Sequence, residues 1–335
     1  MVTAMREQAD KVITQVRSNG AARSQLVASW HRCMLRHRLD PGVPTGLRRV
    51  CTDELSMARS SAQPWMDAFR QTLRHLQQVL AGQRICSLLT DAGGIVLDSV
   101  GYGVDKESCA RLGLAPGFDW SERRNGTNGV GTCLVSERPV SIRYDEHFFL
   151  PAAPMACVAA PIFGPDGQVS GALNLSLLSR SAGDEFAKRA LLLLVVSAAQ
   201  DIERACFARA YPDCRIIVAG DRGKPGLSLL AVDGDDVVVG ATRSARAAQG
   251  ITALDLARGI PADDLLEEAA ADDFARAEKS VLRRTLLRAQ GNVTAAAGML
   301  EISRATMKRK VGKHFAQVPR TAGHLASEPE RRRPN

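Results

Sequence analysis

Gly291-Asn292-Val293-Thr294-Ala295-Ala296-Ala297-Gly298-Met299-Leu300-Glu301-Ile302-Ser303-Arg304-Ala305-Thr306-Met307-Lys308-Arg309-Lys310 reads as two short helices joined by a tight turn. Gly291-Asn292 ends the segment before it, and Asn292 can cap the helix that follows. Ala295, Ala296, Ala297 and Gly298 let another helix approach closely. Glu301-Ile302-Ser303 is the turn, with Ile302 plugging the corner and Ser303 as the next N-cap. The second helix, Arg304 to Lys313, sets Met307 and Val311 inward and Thr306, Lys308, Arg309 and Lys313 toward the opposite side. Upstream, Arg276 to Gln290 has an amphipathic period, with Val281, Leu282, Leu286 and Leu287 inward and Lys279, Arg283, Arg284 and Arg288 outward. Two helices on a tight turn, the second basic and exposed, form the helix-turn-helix geometry that fits a major groove.

Charge agrees with that placement. The chain of 335 residues carries a net +8, from 44 Lys and Arg against 36 Asp and Glu. Arg276 to His314 alone holds ten basic and two acidic residues, and the tail from Phe315 holds four and two. Everything upstream is near neutral, with 30 basic against 32 acidic residues. A neutral body with a basic end predicts a sensing or scaffolding part joined to a polyanion-binding part. With 45% apolar and 24% charged residues, the composition is that of a folded protein of two or three domains.

Several classes are excluded. Met1 to Gly20 is interrupted by Arg6, Glu7, Asp10, Lys11 and Arg17 and has no signal-peptide core. The longest apolar run, Ala190 to Ala199, is about half of the ~20 residues a membrane span needs. A soluble, cytoplasmic protein without membrane contact is expected. Eight cysteines stand singly in the first 214 residues with no C-x-x-C pair, which predicts reduced, mostly buried thiols rather than a zinc site or a disulfide scaffold. No metal, cofactor or catalytic residue is assigned.

Along the body, residues 1–60 read as a helical N-terminal segment. Gln63 to Gly82 is an amphipathic helix, with Trp65, Phe69, Leu73, Leu76, Val79 and Leu80 at steps of three and four. Arg84–Thr90 and Ile95–Val100 flank a hairpin signal at Asp91-Ala92-Gly93-Gly94. Val140–Arg143 and Met155–Phe163 are further strands, and Gly164-Pro165-Asp166-Gly167 is a turn into the alternating run Val169–Leu177. Asp184 to Phe207 is one long helix, capped by Asp184, with aliphatic surface that suits either the core or a second subunit. The fold class is α+β: an antiparallel sheet flanked by helices, plus an all-α C-terminal helix-turn-helix domain. Residues 215–240 add two β-like stretches and then a helix-prone segment, 260–273 reads as a linker, and 317–335 as a disordered tail.

Over about forty residues, 274–316, the C-terminal pattern resembles the Fis-type helix-turn-helix. That resemblance implies a dimer on double-stranded DNA. Asn292 and Thr294 would touch phosphates, and Ser303, Arg304, Thr306, Lys308, Arg309, Lys310 and Lys313 would approach bases or backbone. Ser303 stands where Asn is common. Leu112–Glu122, Asn125–Thr132, Glu146-His147-Phe148, Ala160-Pro161-Ile162, Ser29–Cys33 and Leu39-Asp40-Pro41 look like the GAF-type sensory region of acetoin-catabolism activators, which are bacterial enhancer-binding, sigma-54-dependent regulators. The resemblance covers residues 24–206. It implies a GAF-like sensor over 61–207, followed by a short, degenerate PAS-like segment over 208–259. Trp120, Thr127, Asn128, Thr132 and His147 are its candidate contacts to a small-molecule effector. Asn174 stands where the family strand commonly has Asp.

The departure from that family lies in the middle. Its activators carry a central AAA+ ATPase, yet this chain contains no G-x-x-x-x-G-K-[ST]. Gly220-Asp221-Arg222-Gly223-Lys224-Pro225 is too short, and Pro225 lacks an N–H for a phosphate cradle. A DNA-binding repressor or modulator is therefore expected, with RNA polymerase or another regulator as a protein partner. Asn125–Thr132 reads as a tight turn entering a helix, and His147 as a packed histidine. Two alternatives stay open: a thiol-dependent sulfoxide reductase using Cys86, Cys109 or Cys133, and an interaction protein that titrates a full-length activator.

Overall fold

The computed structural model describes residues 2–18, 20, 24–149, 155–178, 185–220, 226–234, 236–265, 278, 281–282, 285–286, 288–289 and 291–315. The chain divides into two units, Met1–Glu267 and Glu268–Asn335.

The first unit is built on five strands: β1 (Ile85–Asp91), β2 (Val96–Tyr102), β3 (Val140–Ile142), β4 (Ala156–Phe163) and β5 (Val169–Leu177). They form an antiparallel sheet in the order β2-β1-β5-β4-β3. The hairpin turns are those expected. Asp91 accepts the Ile95 N–H at 2.8 Å, and Gly167 closes the β4–β5 turn at φ +80°. Registry places Leu173 between Leu89 and Ala160, so one face of the sheet is a continuous apolar layer.

Two long helices cover that face. In α4 (Gln63–Leu80) Phe69, Leu73, Leu76 and Leu80 face inward; in α8 (Glu185–Ala210) Val195, Ala199 and Ile202 do. Val79, expected on the same stripe, is 63% exposed because it lies on the flank of the 69/73/76/80 row. The opposite face packs Cys86, Leu88, Val96 and Cys157 against Leu114, Trp120, Val130 and Met155. Burial on both faces explains why β4 reads as an unbroken apolar run and why β1 buries Ser87 and Thr90 along with its apolar residues.

That second face is closed by α1 (Val2–Arg17), α2 (Gln25–His31), a single π turn (Arg32–Arg36), α5 (Lys106–Arg111), α6 (Glu122–Asn125) and α7 (Gly129–Ser136), with their connecting loops, while α3 (Thr52–Ser61) packs Ala58 against the core of the first face. Asp184, expected to cap α8, lies outside the described residues, as does the 221–225 part of the near-miss phosphate loop.

Beyond α8, where two β-like stretches are expected over 215–240, three strands form, and a fourth follows at the start of the expected linker. They are β6 (Arg215–Val218), β7 (Leu229–Val232), β8 (Val237–Ala241) and β9 (Ile260–Pro261), antiparallel in that order. Helices α9 (Arg243–Gln249) and α10 (Ala253–Arg258) precede β9, and α11 (Ala262–Leu265) follows it. The segment has its own core of Leu230, Val232, Val238, Ala241, Ala245 and Ile251. Its last strand corrects the expected linker at 260–273. Ile260 pairs with Val238 and Pro261 with Val237, because the edge of β8 leaves backbone groups that a two-residue strand can satisfy.

In the second unit, α12 (Val293–Met299) and α13 (Arg304–Phe315) surround a core of Leu282, Ala289, Ala296, Ala297 and Met307. Val281, expected inward, is 40% exposed, since it sits one residue off the 282/286/289 row. Leu287 and the tail 317–335 lie outside the described residues. Phe69 is fully buried between the first face of the sheet and its helices, so Phe69→Ala should destabilise the protein by ~3–5 kcal/mol in urea unfolding.

Candidate nucleic-acid interface and ligand site

In the second unit the caps form as the residues dictate. Gly291 adopts φ +80°, and the Asn292 side chain accepts the N–H groups of Thr294 at 3.0 Å and Ala295 at 3.2 Å. Glu301 takes the left-handed conformation in the turn, at φ +53°. Ser303 Oγ accepts the Thr306 N–H at 3.1 Å and bonds the Thr306 hydroxyl at 2.9 Å.

The candidate contacts then divide. Asn292, Thr294, Ser303, Arg304, Lys308, Arg309 and Lys313 are exposed. Thr306 is half-buried and held by Ser303, and Lys310 is half-buried and pairs with Glu278. His314 Nε2 reaches the same carboxylate at 2.7 Å, and these two partners hold Glu278 down to about 2. Lys310 and Thr306 therefore have local structural partners, whereas Arg304, Lys308, Arg309 and Lys313 face solvent.

In the first unit, the glycine-rich segment is the expected turn into a helix. Gly126 has φ +60°, and Asn128 caps α7 by accepting the Gly131 N–H at 2.9 Å. Asn128 also donates to the carbonyls of Trp120 (3.0 Å) and Gly126 (2.8 Å), so all its polar capacity serves the fold. Thr127 and Thr132 join a buried network that the sequence did not reveal. Ser29 Oγ lies 2.7 Å from Thr127 Oγ1, 3.1 Å from Thr132 Oγ1 and 2.7 Å from Glu122 Oε2. Arg32 grips the same Glu122 carboxylate with Nε at 2.8 Å and Nη2 at 2.9 Å, and His37 stands 3.8 Å away. Nothing in the local sequence marks Glu122, which stands among Asp119, Arg123 and Arg124, as a buried acid.

Trp120 and Asn128 do line a cavity, together with Leu114, Met155, Cys157 and Asn174. Its free volume is about 10 Å³, room for one water molecule. Trp120 Nε1 donates to the Gly113 carbonyl at 2.7 Å, while Asn174 Oδ1 is buried with no hydrogen-bond partner. His147 is buried beside this wall. Its Nδ1 contacts the carbonyls of Arg143 (3.1 Å) and Tyr144 (3.3 Å), which can only accept, so Nδ1 carries the proton. Nε2 then turns its lone pair toward Cys157 Sγ at 3.8 Å. Among the described residues no cluster of His, Cys, Asp and Glu could hold a metal ion.

Residues 3–204 match the family described as MimR, N-terminal domain, and residues 274–314 match the bacterial regulatory protein, Fis family. The chain belongs to the MimR N-terminal domain family. Curated relatives match part of this MimR-type chain. The acetoin catabolism regulatory protein of Cupriavidus necator is 31% identical over 183 residues, 55% of this chain and 27% of its own length. The propane 2-monooxygenase operon transcriptional activator MimR of Mycolicibacterium smegmatis is 34% identical over 142 residues, 42% and 24% of the two chains. The match thus spans about a quarter of each relative. The Escherichia coli DhaR(N)–DhaL complex contains a chain of the same fold, with a TM-score of 0.50 at 15% identity over 68% of this chain and 77% of that one. The α+β class, an antiparallel sheet flanked by helices, agrees with that fold, and residues 205–273 between the two family matches hold the β6–β9 sheet and no G-x-x-x-x-G-K-[ST] sequence.

Both relatives are regulators by name, one of acetoin catabolism and one the transcriptional activator of a propane 2-monooxygenase operon. Cys86, Cys109 and Cys133 are all buried, and burial pushes Cys86 and Cys133 upward, away from the reactive thiolate. Among the described residues no helix is long and apolar enough to cross a membrane.

Burial lowers His147 from 6.5 to about 4. The folded state thus keeps it neutral while the unfolded chain protonates first, so its contribution is full above pH 6.5 and lost as pH falls toward 4. Urea melts across that range should show a loss on the order of 3 kcal/mol that His147→Gln does not share.

Proposed function

We propose that the chain is a sequence-specific, DNA-binding transcription regulator that acts as a homodimer and takes a small-molecule signal through its GAF-like domain. One observation carries the reading. Arg304, Lys308, Arg309 and Lys313 are exposed on α13, a helix capped by Ser303 within the region that matches the Fis family. Exposed cations on a groove-sized helix supply phosphate affinity, and an Arg in bidentate contact with guanine discriminates by ~1–3 kcal/mol. Asn292 and Thr294, at the start of α12, suit phosphate contacts that set register. Lys310 and Thr306 act at one remove, Lys310 by pairing α13 to Glu278 and Thr306 by completing the Ser303 cap.

The dimer is supported by exposed apolar surface on α8, where Leu193 is 72% exposed. The effector site is the cavity under Trp120, which must widen to admit anything larger than water. Without a phosphate loop between its two matched regions, the chain represses or modulates, through RNA polymerase or another regulator in the cytoplasm, rather than driving promoter opening by ATP hydrolysis.

Genome-wide footprinting with the full chain tests this reading. Protected promoter regions are expected. Arg309→Ala and Lys308→Ala should weaken binding there by about tenfold each, and each lost phosphate contact should flatten the log–log salt slope by roughly 0.9. A full chain that prefers no promoter over random DNA overturns the proposal.

A further inference from the structure

A groove of about 440 Å³ opens in the first unit where the five-stranded sheet meets the smaller one. Its volume lies in the range of small-molecule sites, unlike the closed gap under Trp120. Ala160 and Phe163 of β4 with Val196 and Ala199 of α8 form one side, and Leu227 and Ala247 the other. These surfaces are apolar, so what distinguishes the groove is the charge at its mouth.

Arg138 is exposed there and forms no ion pair among the described residues. The Arg243 guanidinium lies 4.5 Å over the Phe163 ring and shares its charge with Glu137 at 2.5 Å. Glu203, half-buried in the wall, uses Oε1 to accept the Phe163 N–H at 2.8 Å. Burial raises this carboxyl to about 7 against the pull of Arg243, so near neutral pH it carries only part of a negative charge. Two guanidiniums thus face one committed carboxylate, Glu137, and one partly neutralised acid. An anion gains at this mouth, whereas an amine would have to ionise Glu203 against an apolar wall.

We propose that this groove binds an apolar monocarboxylate, with the carboxylate at Arg138 and Arg243 and the hydrocarbon body on Phe163, Val196 and Leu227. The site is separate from the cavity under Trp120 and independent of DNA binding, so its failure and the failure of the regulator reading are read by different measurements.

Isothermal titration calorimetry of the full chain with 4-phenylbutyrate, its primary amide and the matching amine tests the assignment. Saturable binding of the carboxylate is expected, about tenfold tighter than the amide, with no binding of the amine. Arg138→Ala and Arg243→Lys should each weaken the carboxylate about three- to tenfold. Glu203→Gln should leave it unchanged, and Ala247→Trp, which fills the groove from an exposed position, should abolish it. Arg138 holds no described contact, so loss of binding in Arg138→Ala is not a folding defect. Absence of saturable carboxylate binding, equal affinity for the amide, tighter binding of the amine, or binding that survives Arg138→Ala and Ala247→Trp overturns the proposal.

Discussion

Glu122 is 1% exposed, and a carboxylate buried that deeply is strongly destabilising unless it is paired and hydrogen-bonded. Its position is not adjustable. The chain passes so close that a Cβ on Gly131 would stand 2.4 Å from the Glu122 nitrogen, and Asp119 fixes the preceding turn by accepting the Ser121 N–H at 2.9 Å. A cation must therefore come to the acid. Arg32 arrives from 90 residues upstream and makes a two-pronged contact, with Ser29 supplying a third hydrogen bond from the same helical segment. The π turn beginning at Arg32 belongs to this constraint, since local widening of a helix re-aims side chains where a site demands it.

The pair settles how the second face of the sheet is closed. The first face is held by undirected burial of Phe69, Leu73, Val195 and their neighbours, which tolerates small shifts. The second is anchored by directional contacts: Arg32 to Glu122, Trp30 Nε1 to the Glu146 carbonyl at 3.0 Å, and Gln8 Nε2 to the His147 carbonyl at 2.7 Å. These tie the N-terminal helices to Tyr144–His147 and to the entrance of α7. Thr127 and Thr132 serve the same anchorage. Polar residues gathered near a sensor interior here answer first to the demands of one buried acid.

Local chemistry was legible in the sequence and long-range pairing was not. Asn292 and Ser303 were readable as caps because an N-cap acts on backbone two or three residues away, whereas Asn128, expected to contact an effector, caps α7. The strands of the main sheet were readable from their apolar runs and from the Gly-rich turns between them. Glu122 with Ser29 was not, because nothing at either position signals a partner 93 residues off. Strand β9 was missed for a related reason. A two-residue strand has no periodicity of its own, and Ile260-Pro261 is a strand only because β8 offers it an edge. Val79 and Val281 show the remaining limit: hydrophobic period marks a stripe, while packing decides where the stripe ends.

The two spaces in the first unit differ in what a ligand must do to occupy them. The gap under Trp120 is lined by side chains already committed to the fold, Asn128 as a cap and Trp120 through Gly113. Only Asn174 Oδ1 remains unsatisfied there, which gives an incoming donor a specific partner but no room. A ligand for that gap binds an open minor state, and its apparent affinity is reduced by the fraction of molecules that are open. That cost is also what makes such a site able to signal, because a ligand shifts an equilibrium only by its differential affinity for two states. The groove beside Arg138 and Arg243 is open as folded. A ligand there needs no opening, and its influence would come through contacts it makes to β4, α8 and α9 at once. A closed site suits a switch, and an open one suits a clamp.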